Sequence, residues 1–274
     1  MLTIALAQTK PTFLDLFANY EAAVELIESV HADVYVFPEL FLSGYTFSSL
    51  DEVESVALPR HNAYFDGFAR LSEERGIGIC GGYAEATDTA FFNSSFFIGD
   101  GRLLANYRKV HLFYRETQFF APGDGGFSVF EYDGTRFGMM VCYDWFFPEA
   151  ARSLALLGAQ VILHPSNLVM PYCQRAMYAR AVENRVFIAT ANRVGTESNT
   201  LGDELTFTGK SQVVDPTGNY VLTFDETEHV ARAVDIDPAA ADRKDLNQFN
   251  TVLEDRRPEL YVRESAPYRQ TPSV

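Results

Sequence analysis

Short apolar runs that are typical of buried strands alternate along this chain with segments that have a helical pattern. Leu2 to Gln8 is the first such run, and residues 32–37 form another that stops at Pro38. Between them, apolar residues recur at spacings of four and three and predict one face of an amphipathic helix. The residues of that face are Phe13, Phe17, Tyr20, Val24 and Ile27. Alternation of this kind indicates an α/β fold.

The rest of the chain continues the alternation, with Gly, Asp and Pro turn signals between the runs. Helices are expected over about 59–75, 148–157 and 173–185. Strands are expected near 77–85, 91–98, 102–110, 127–132, 135–142, 161–164, 186–193 and 229–236, with a further pair flanking a turn at 215–218. A loop is expected over 111–126, and a short helix with a charged, extended tail after about 238.

The two halves of the sequence resemble each other. The segment 34–39 (VYVFPE) has the pattern of 161–166 (VILHPS), and the turn at 100–101 resembles the one at 215–218. Each half has the order helix, strand, helix, strand and then hairpin. This repetition predicts two similar α/β layers that pack sheet on sheet with the helices outside, in a single domain that spans residues 1–274.

Composition restricts the classes of partner. The chain is 47% hydrophobic, with 23 Phe and 14 Tyr, which is enough for a sizeable core. Its net charge of −15 argues against nucleic acid and membrane surfaces as partners. The three Cys are widely spaced without a CxxC motif, so neither a disulfide framework nor a zinc site is expected. The start of the chain lacks a signal-peptide pattern and no apolar run has membrane length, so a cytoplasmic location is expected.

Three residues of reactive types stand at the ends of apolar strands. Glu39 follows the run that ends at Pro38, Lys109 follows the strand near 102–110, and Cys142 ends the strand 135–142. Ligands of open α/β sheets bind at the carboxyl ends of the strands. We therefore expect these three side chains to meet in one site although they are far apart in the sequence.

The position of Cys142 favours a role as a nucleophile. A strand that gives way sharply to a helix presents its last side chain on a tight elbow, beside free backbone N–H groups. A small buried hydrophobe is the alternative for any Cys. A free thiol is mostly protonated at neutral pH and needs a base. Glu39 is one candidate for that base, and His111 or His164 is the other. Lys109 would stabilise a developing oxyanion beside the N–H of Tyr143.

Three segments, in this order, resemble the motifs of the nitrilase superfamily of carbon–nitrogen hydrolases. They are Phe37–Tyr45 (FPELFLSGY), Tyr107–Phe113 (YRKVHLF) and Val141–Glu149 (VCYDWFFPE). The likeness covers nearly the whole chain. It implies a four-layer αββα sandwich of two packed mixed sheets with outer helices.

The resemblance also implies a catalytic set. Glu39 would be the general base and acid, Lys109 the oxyanion stabiliser and Cys142 the nucleophile, and Glu116 matches a further family Glu that positions Lys109 or the substrate. The implied reaction cleaves a non-peptide C–N bond through a cysteine thioester, with no metal or organic cofactor. Candidate substrate-binding residues near the motifs are Tyr45, Tyr114, Tyr143, Trp145, Ser166 and Asn167.

The branch of the family is suggested by the residues after the nucleophile. Tyr143-Asp144 is similar to amidase and carbamoylase members, which predicts a small linear amide or an N-carbamoyl compound as the substrate. A nitrilase that acts on small aliphatic nitriles is the alternative, and a catalytically silent binding protein on the same scaffold is a further one. The family also implies at least a homodimer, formed through residues 148–157 and through a tail, 245–274, that docks on the partner subunit.

Overall fold

A computed structural model describes residues 1–261 of the chain. The strands, in chain order, are β1 (Leu2–Gln8), β2 (Val34–Val36), β3 (Gly78–Ala86), β4 (Phe91–Gly99), β5 (Arg102–Arg108), β6 (Val129–Tyr132), β7 (Thr135–Met139), β8 (Val161–Pro165), β9 (Phe187–Ala191), β10 (Val194–Ser198), β11 (Glu204–Thr208), β12 (Gln212–Val214), β13 (Tyr220–Thr223), β14 (Val230–Ile236), β15 (Asp245–Asn247) and β16 (Asn250–Thr251). The α-helices are α1 (Leu16–Ser29), α2 (Leu50–Val56), α3 (Ala63–Arg75), α4 (Glu116–Phe119), α5 (Pro148–Leu156) and α6 (Cys173–Asn184). Short 3-10 turns cover Cys142–Phe146, Pro238–Asp242 and Pro258–Leu260.

Two 6-stranded mixed sheets form the frame, with the orders β14-β1-β2-β3-β4-β5 and β13-β12-β9-β8-β7-β6. In the first sheet, β1, β2 and β3 are parallel and the β4–β5 hairpin continues antiparallel. In the second, β7, β8 and β9 are parallel and β12–β13 continue antiparallel. The sheets thus repeat one arrangement, and the two segments whose sequence patterns match, around β2 and β8, occupy equivalent positions.

The apolar core lies between the two sheets and between each sheet and its outer helices. Between the sheets, Leu6 and Val36 of the first sheet belong to the same apolar cluster as Met139 and Leu163 of the second. Helices α5 and α6 cover the outer face of the second sheet within that cluster, and α1 and α3 cover the first sheet through a separate one. Each large apolar side chain buried in this way stabilises the fold by about 1.5–3 kcal/mol. The arrangement is the predicted αββα sandwich.

The predicted apolar face of the first helix is wrong. Helix α1 begins at Leu16, after Asp15 accepts the N–H of Ala18, so Phe13 precedes the helix. Phe17 is 66% exposed. Of the predicted face only Ile27 is buried, and the other residues that α1 buries are Asn19, Ala23 and Leu26. Choosing the bulkiest residues misplaced the face, because a small residue lets the helix approach the sheet and because buried Asn19 satisfies its amide on the carbonyls of Thr12 and Leu42.

Sequence patterns did not predict α2, α4 or the hairpin β10–β11. Both helices are too short for a helical period to stand out. In β10 and β11 most side chains are exposed or half-buried, so the hydrophobic alternation is weak. This hairpin contacts Tyr45 through Glu197 and Tyr114 through Asp203.

Residues 245–261 are largely exposed. Strands β15 and β16 form a small separate hairpin. Residues 262–274 of the predicted docking tail lie outside the described residues, and the extent of the single domain stays a prediction. None of the helices within residues 1–261 combines the length and the apolar composition that a membrane span requires.

Candidate active site

The side chain of Glu39 is fixed at the carboxyl end of β2 and is completely buried. The chain turns directly after the strand, where the Pro38 carbonyl accepts the N–H of Gly82 in β3 (2.9 Å). A Cβ atom at Gly82 would lie 2.5 Å from the Glu39 Cα. Only glycine therefore allows β3 to approach Glu39 this closely.

Lys109 follows β5 directly and is also completely buried. Its backbone N–H donates to the carbonyl of Asn93 in β4 (2.8 Å), which extends the β4–β5 pairing by one residue. Its Nζ lies 2.6 Å from Glu39 Oε1 and 2.8 Å from Oε1 of Glu116, the first residue of α4. The structure thus brings one ammonium between two buried carboxylates.

Two further side chains complete this cluster. The Asn93 amide donates to Glu39 Oε1 (2.7 Å) and to Glu116 Oε2 (3.2 Å). The Tyr45 hydroxyl donates to Glu116 Oε1 (2.6 Å). Sequence reasoning missed Asn93. The signal that could have found it is a polar amide in the apolar run of β4, at a position facing two strand ends that carry reactive residues.

Burial and charge act in opposite directions on this cluster. Burial and the neighbouring Glu39 raise the pKa of Glu116 to about 7, although Lys109 lowers it. Burial alone would lower the pKa of Lys109, but the charges of Glu116 and Glu39 raise it above its ordinary value. Lys109 is therefore an ammonium at neutral pH, and Glu116 is the carboxyl group that readily carries a proton.

Cys142 occupies a tight elbow just after β7. Its φ is 41°, in the left-handed region that a non-glycine residue adopts at a cost of about 1–2 kcal/mol. The elbow continues into the 3-10 turn Cys142–Phe146, and α5 begins only at Pro148. The strand-end elbow was predicted, but the helix directly behind the sulfur was not found: a single 3-10 turn stands there.

Asp144 holds this elbow to the loop that follows Lys109. Its Oδ2 accepts the N–H of Val141 (2.9 Å) and the hydroxyl of Tyr107 (2.7 Å). Its Oδ1 accepts the N–H of His111 (3.1 Å). Sequence reasoning did not assign Asp144 a role. A buried aspartate two residues after the Cys, facing the YRKVH segment, explains how two separate motifs keep a fixed relative position.

The Cys142 thiol is protonated in the resting protein. Burial, and then the negative charge of Glu39, raise its pKa well above the ordinary value, while Lys109 lowers it. The backbone N–H of Asn167 also lowers this pKa, but by less than burial raises it. These electrostatic couplings place Glu39, Lys109 and Cys142, the three residues expected to meet from their strand ends, in one neighbourhood with Glu116. A base must therefore remove the thiol proton if the sulfur is to act as a nucleophile.

The histidines have other partners. The Nε2 of His164 lies 3.0 Å from the backbone oxygen of Cys142, and its Nδ1 lies 3.0 Å from the Thr190 hydroxyl. Burial lowers the pKa of His164 to about 4. The His111 ring lies 2.8 Å from Asp144 Oδ1 and stacks on Phe147. Among the described residues, neither ring has the Cys142 sulfur as a hydrogen-bond partner. After burial, the charge of Glu39 is the largest influence on the pKa of the Cys142 thiol, and this coupling favours Glu39 over a histidine as the base.

A small cavity of about 20 Å³ lies beside Cys142. It is lined by Phe113, Cys142, Tyr143, Trp145, Asn167, Leu168, Val169 and Met170. Three of the residues predicted to bind substrate line this cavity: Tyr143, Trp145 and Asn167. Within residues 1–261, neither polar atom of the buried Asn167 side chain has a hydrogen-bond partner, so both are available to a bound molecule.

The other predicted pocket residues lie elsewhere. Tyr45 and Tyr114 line a second cavity, of about 10 Å³, on the Glu116 side. Tyr114 is half exposed and its hydroxyl donates to Asp203 (2.7 Å). Ser166 is completely buried against His164 and does not line either of these cavities.

Comparison with known proteins identifies the family. A family model described as carbon–nitrogen hydrolase matches residues 3–244. A protein named nitrilase from Pyrococcus abyssi is 41% identical over 96% of this chain and 100% of its own length. An N-carbamoylputrescine amidase from Arabidopsis thaliana is 31% identical over 90% of each chain. The structure of an amidase variant from Nesterenkonia sp. AN1, with acrylamide added to its active-site cysteine, superimposes with a TM-score of 0.77 at 28% identity and covers 95% of this chain and 98% of its own.

The αββα fold, with a lysine buried between two carboxylates, is that of the nitrilase superfamily. The chain belongs to the carbon–nitrogen hydrolase family of the nitrilase superfamily. The membership and the fold that the three motifs predicted are confirmed.

Proposed function

We propose that this carbon–nitrogen hydrolase cleaves small linear amides or N-carbamoyl compounds through a thioester on Cys142. The observation that carries the proposal is the position of Lys109 Nζ, in contact with Glu39 and Glu116 and electrostatically coupled to the Cys142 sulfur. A base, an acid, a fixed positive charge and a nucleophile are the groups that two-step acyl transfer requires.

The first step forms the thioester. Glu39 takes the thiol proton while the Cys142 sulfur attacks the carbonyl carbon, and the C=O electron pair moves to oxygen. Lys109 and the backbone N–H of Tyr143 stabilise that oxyanion. When the oxyanion collapses, the C–N bond breaks and Glu39 returns its proton to the leaving nitrogen. Ammonia or an amine departs and the acyl group stays on sulfur.

The second step releases the acid. Glu39 removes a proton from water, the resulting hydroxide adds to the thioester carbon, and Lys109 again stabilises the oxyanion. The C–S bond then breaks and the proton on Glu39 returns to sulfur, which leaves a carboxylic acid or a carbamate. Glu116 contacts Lys109 but takes no part in this proton transfer, so we assign it the role of positioning the ammonium.

The lining of the cavity beside Cys142 supports an uncharged acyl group. Among the described residues that line it, all are aromatic, aliphatic or uncharged polar apart from the thiol itself. A substrate carboxylate close to the reacting carbon would lack a counter-charge there, and burying it would be unfavourable. Asn167 offers both a donor and an acceptor to the amide or carbamoyl group.

A nitrilase reaction on small aliphatic nitriles is the second candidate. The 41% identical relative that bears the name nitrilase favours it. A nitrile carbon would accept the same attack by sulfur, so the arrangement of Glu39, Lys109 and Cys142 alone does not separate the two reactions. The nitrogen acquires the developing negative charge in that case.

Ammonia release across a panel of substrates tests the proposal. We expect kcat/KM for short neutral amides to exceed that for N-carbamoyl amino acids by about 100-fold or more, because a buried unpaired carboxylate costs several kcal/mol. Short nitriles are assayed in parallel with their amides. Intact-mass measurement during turnover should detect an acyl adduct on Cys142. Preference for carboxylate-bearing substrates, or turnover with no adduct after acid quenching, would contradict the substrate class and the thioester respectively.

We also propose that the protein is at least a homodimer, formed through the helix that follows Cys142. Leu156 and Leu157 at the end of α5 and Tyr178 on α6 are about half exposed on one outer layer. Light scattering at micromolar concentration should give at least twice the chain mass, and Leu157→Glu should lower it. Phe17→Glu changes an exposed apolar residue on α1, in the opposite outer layer, and should leave the mass unchanged. A monomeric wild-type protein would refute this proposal.

A further inference from the structure

The hairpin β10–β11 carries a carboxylate that is buried against the loop after Glu39. Oε1 of Glu197, in β10, accepts the backbone N–H groups of Tyr45 (2.8 Å) and Thr46 (2.6 Å). It also accepts the Thr46 hydroxyl (2.7 Å). A single oxygen from the second half of the chain therefore fixes the backbone at Tyr45, whose hydroxyl contacts Glu116.

The negative charge of Glu197 is compensated inside the protein. Arg193 is almost completely buried and its NH2 group donates to Glu197 Oε2 (2.9 Å). Its guanidinium stacks over the Phe207 ring at 4.1 Å. A buried ion pair by itself adds little to stability compared with apolar packing. The Arg193–Glu197 pair is therefore better explained by the chain segment that Glu197 holds in position than by stability.

The loop packs tightly against this carboxylate. Gly44 has a φ of +82°, and a Cβ atom there would lie 2.9 Å from Glu197 Oε2. The chain around Gly44 thus fits the carboxylate without a side chain in between. Small displacements of Glu197 would be passed directly to the neighbouring Tyr45.

The same hairpin holds the loop that precedes Glu116. Asp203, at its tip, accepts the Tyr114 hydroxyl (2.7 Å) and forms an ion pair with Arg115. One hairpin is therefore bound to both chain segments that meet at the Tyr45–Glu116 hydrogen bond, one through Glu197 and the other through Asp203.

We propose that Glu197, neutralised by Arg193, is a positioning residue that holds the Tyr45 hydroxyl on Glu116 and thereby orients Lys109. The inference rests on the proposed function, in which Lys109 stabilises the oxyanion. Without the carboxylate, two buried N–H groups lose a charged acceptor and Tyr45 is no longer fixed. Glu116 then loses a hydrogen bond that lowers its pKa, and Lys109 loses a constraint on its position.

A double-mutant cycle tests this route of action. Glu197→Gln and Tyr45→Phe should each lower kcat by about tenfold, and the double variant should lose little more than either single variant, because Glu197 acts on Glu116 only through the Tyr45 hydrogen bond that Tyr45→Phe removes. Both should also raise the pKa of Glu116, because the Tyr45 hydrogen bond lowers it. The limb of the pH–rate profile that follows ionisation of Glu116, the carboxylate that positions Lys109, should then move to higher pH. Glu204→Gln, an exposed residue of β11 in the same hairpin, is the matched control and should leave kcat unchanged.

A second readout keeps the test independent of turnover. The alkylation rate of Cys142 by iodoacetamide, followed by peptide mass spectrometry across pH, reports the charge on its neighbours. We expect Glu197→Gln, Tyr45→Phe and the double variant to shift that profile by the same amount. Multiplying losses of about 100-fold in the double variant, or shifts that add, would overturn the inference. An inactive wild-type enzyme with shared alkylation shifts would instead reject the proposed function and keep the coupling.

Discussion

Replacing Cys142 with Ala should reduce amide turnover by at least about 10⁴-fold while the fold remains intact. The reason for the loss is that water would have to attack the carbonyl directly, without the covalent step. The fold should tolerate the change because Ala accepts the left-handed φ of 41° as well as Cys does. Losing one small buried group costs about 1 kcal/mol. Ammonia release measures the first effect and thermal unfolding the second.

The control for this substitution is Cys173→Ala. Cys173 is as deeply buried as Cys142 but lies at the start of α6, away from Glu39 and Lys109. It should keep wild-type kcat, and it shows whether removing a buried thiol disturbs the protein in general. Substantial turnover in a correctly folded Cys142→Ala protein would rule out the thioester mechanism on Cys142, because the other two thiols, Cys80 and Cys173, are completely buried.

Most of the fold was predictable because hydrophobic periodicity reports directly on burial. Strand β1 was located at its observed bounds, and the pairs of matching segments around β2 and β8 indicated the repeated sheets. What failed was local. The apolar face of α1 was misplaced, because the packing distance between helix and sheet selects Ala23 rather than Phe17. The spacing of apolar residues does not show that a small residue such as Ala23 marks the face of the helix that packs on the sheet.

The candidate site was predictable only in part, for a related reason. Glu39 and Lys109 follow strands of the first sheet and Cys142 follows β7 of the second, and the expectation that ligands bind at the carboxyl ends of strands was enough to bring the three together. Asn93, Asp144 and Glu197 act through hydrogen bonds across long sequence separations. Such contacts depend on register and on loop conformation, which the pattern of apolar residues does not encode. Ser166 is an error of the opposite kind: it was predicted to bind substrate, but its buried side chain contacts His164.

Replacing Lys109 with Met should reduce kcat by about 10³-fold, in the range found when an oxyanion donor is removed. Met keeps nearly the same length and fills the same buried space, so the change removes the ammonium and little else. Oε1 of Glu39 and Oε1 of Glu116 would then face each other with no cation between them. Two carboxylates so placed cannot both be ionised in a dry environment. One of them should bind a proton.

This substitution should also make stability depend on pH in a definite direction. The pKa of Glu116 in the folded protein is already raised from its ordinary 4.5 to about 7, and removing Lys109 removes an influence that lowers it. A carboxyl group with a raised folded pKa favours folding in its protonated form. Between pH 4.5 and about 7 the buried Glu116 carboxyl penalises both proteins alike, and the destabilisation of Lys109→Met grows only above about pH 7, where Glu116 is ionised in the wild type and still protonated in the variant. Thermal unfolding of both proteins at pH 5 and pH 8 should give the larger difference in Tm at pH 8.

Lys210→Met separates the buried charge from a general loss of lysine. Lys210 is half exposed and pairs with Glu226 at the surface, where solvent screens the interaction. It should keep wild-type kcat and show no growth of its Tm difference with pH. If Lys109→Met turned over amides at the wild-type rate, or lost more stability at pH 5 than at pH 8, then Lys109 would not be the charge that keeps two buried carboxylates apart. The orientation of the ammonium toward Cys142 would then have no electrostatic reason.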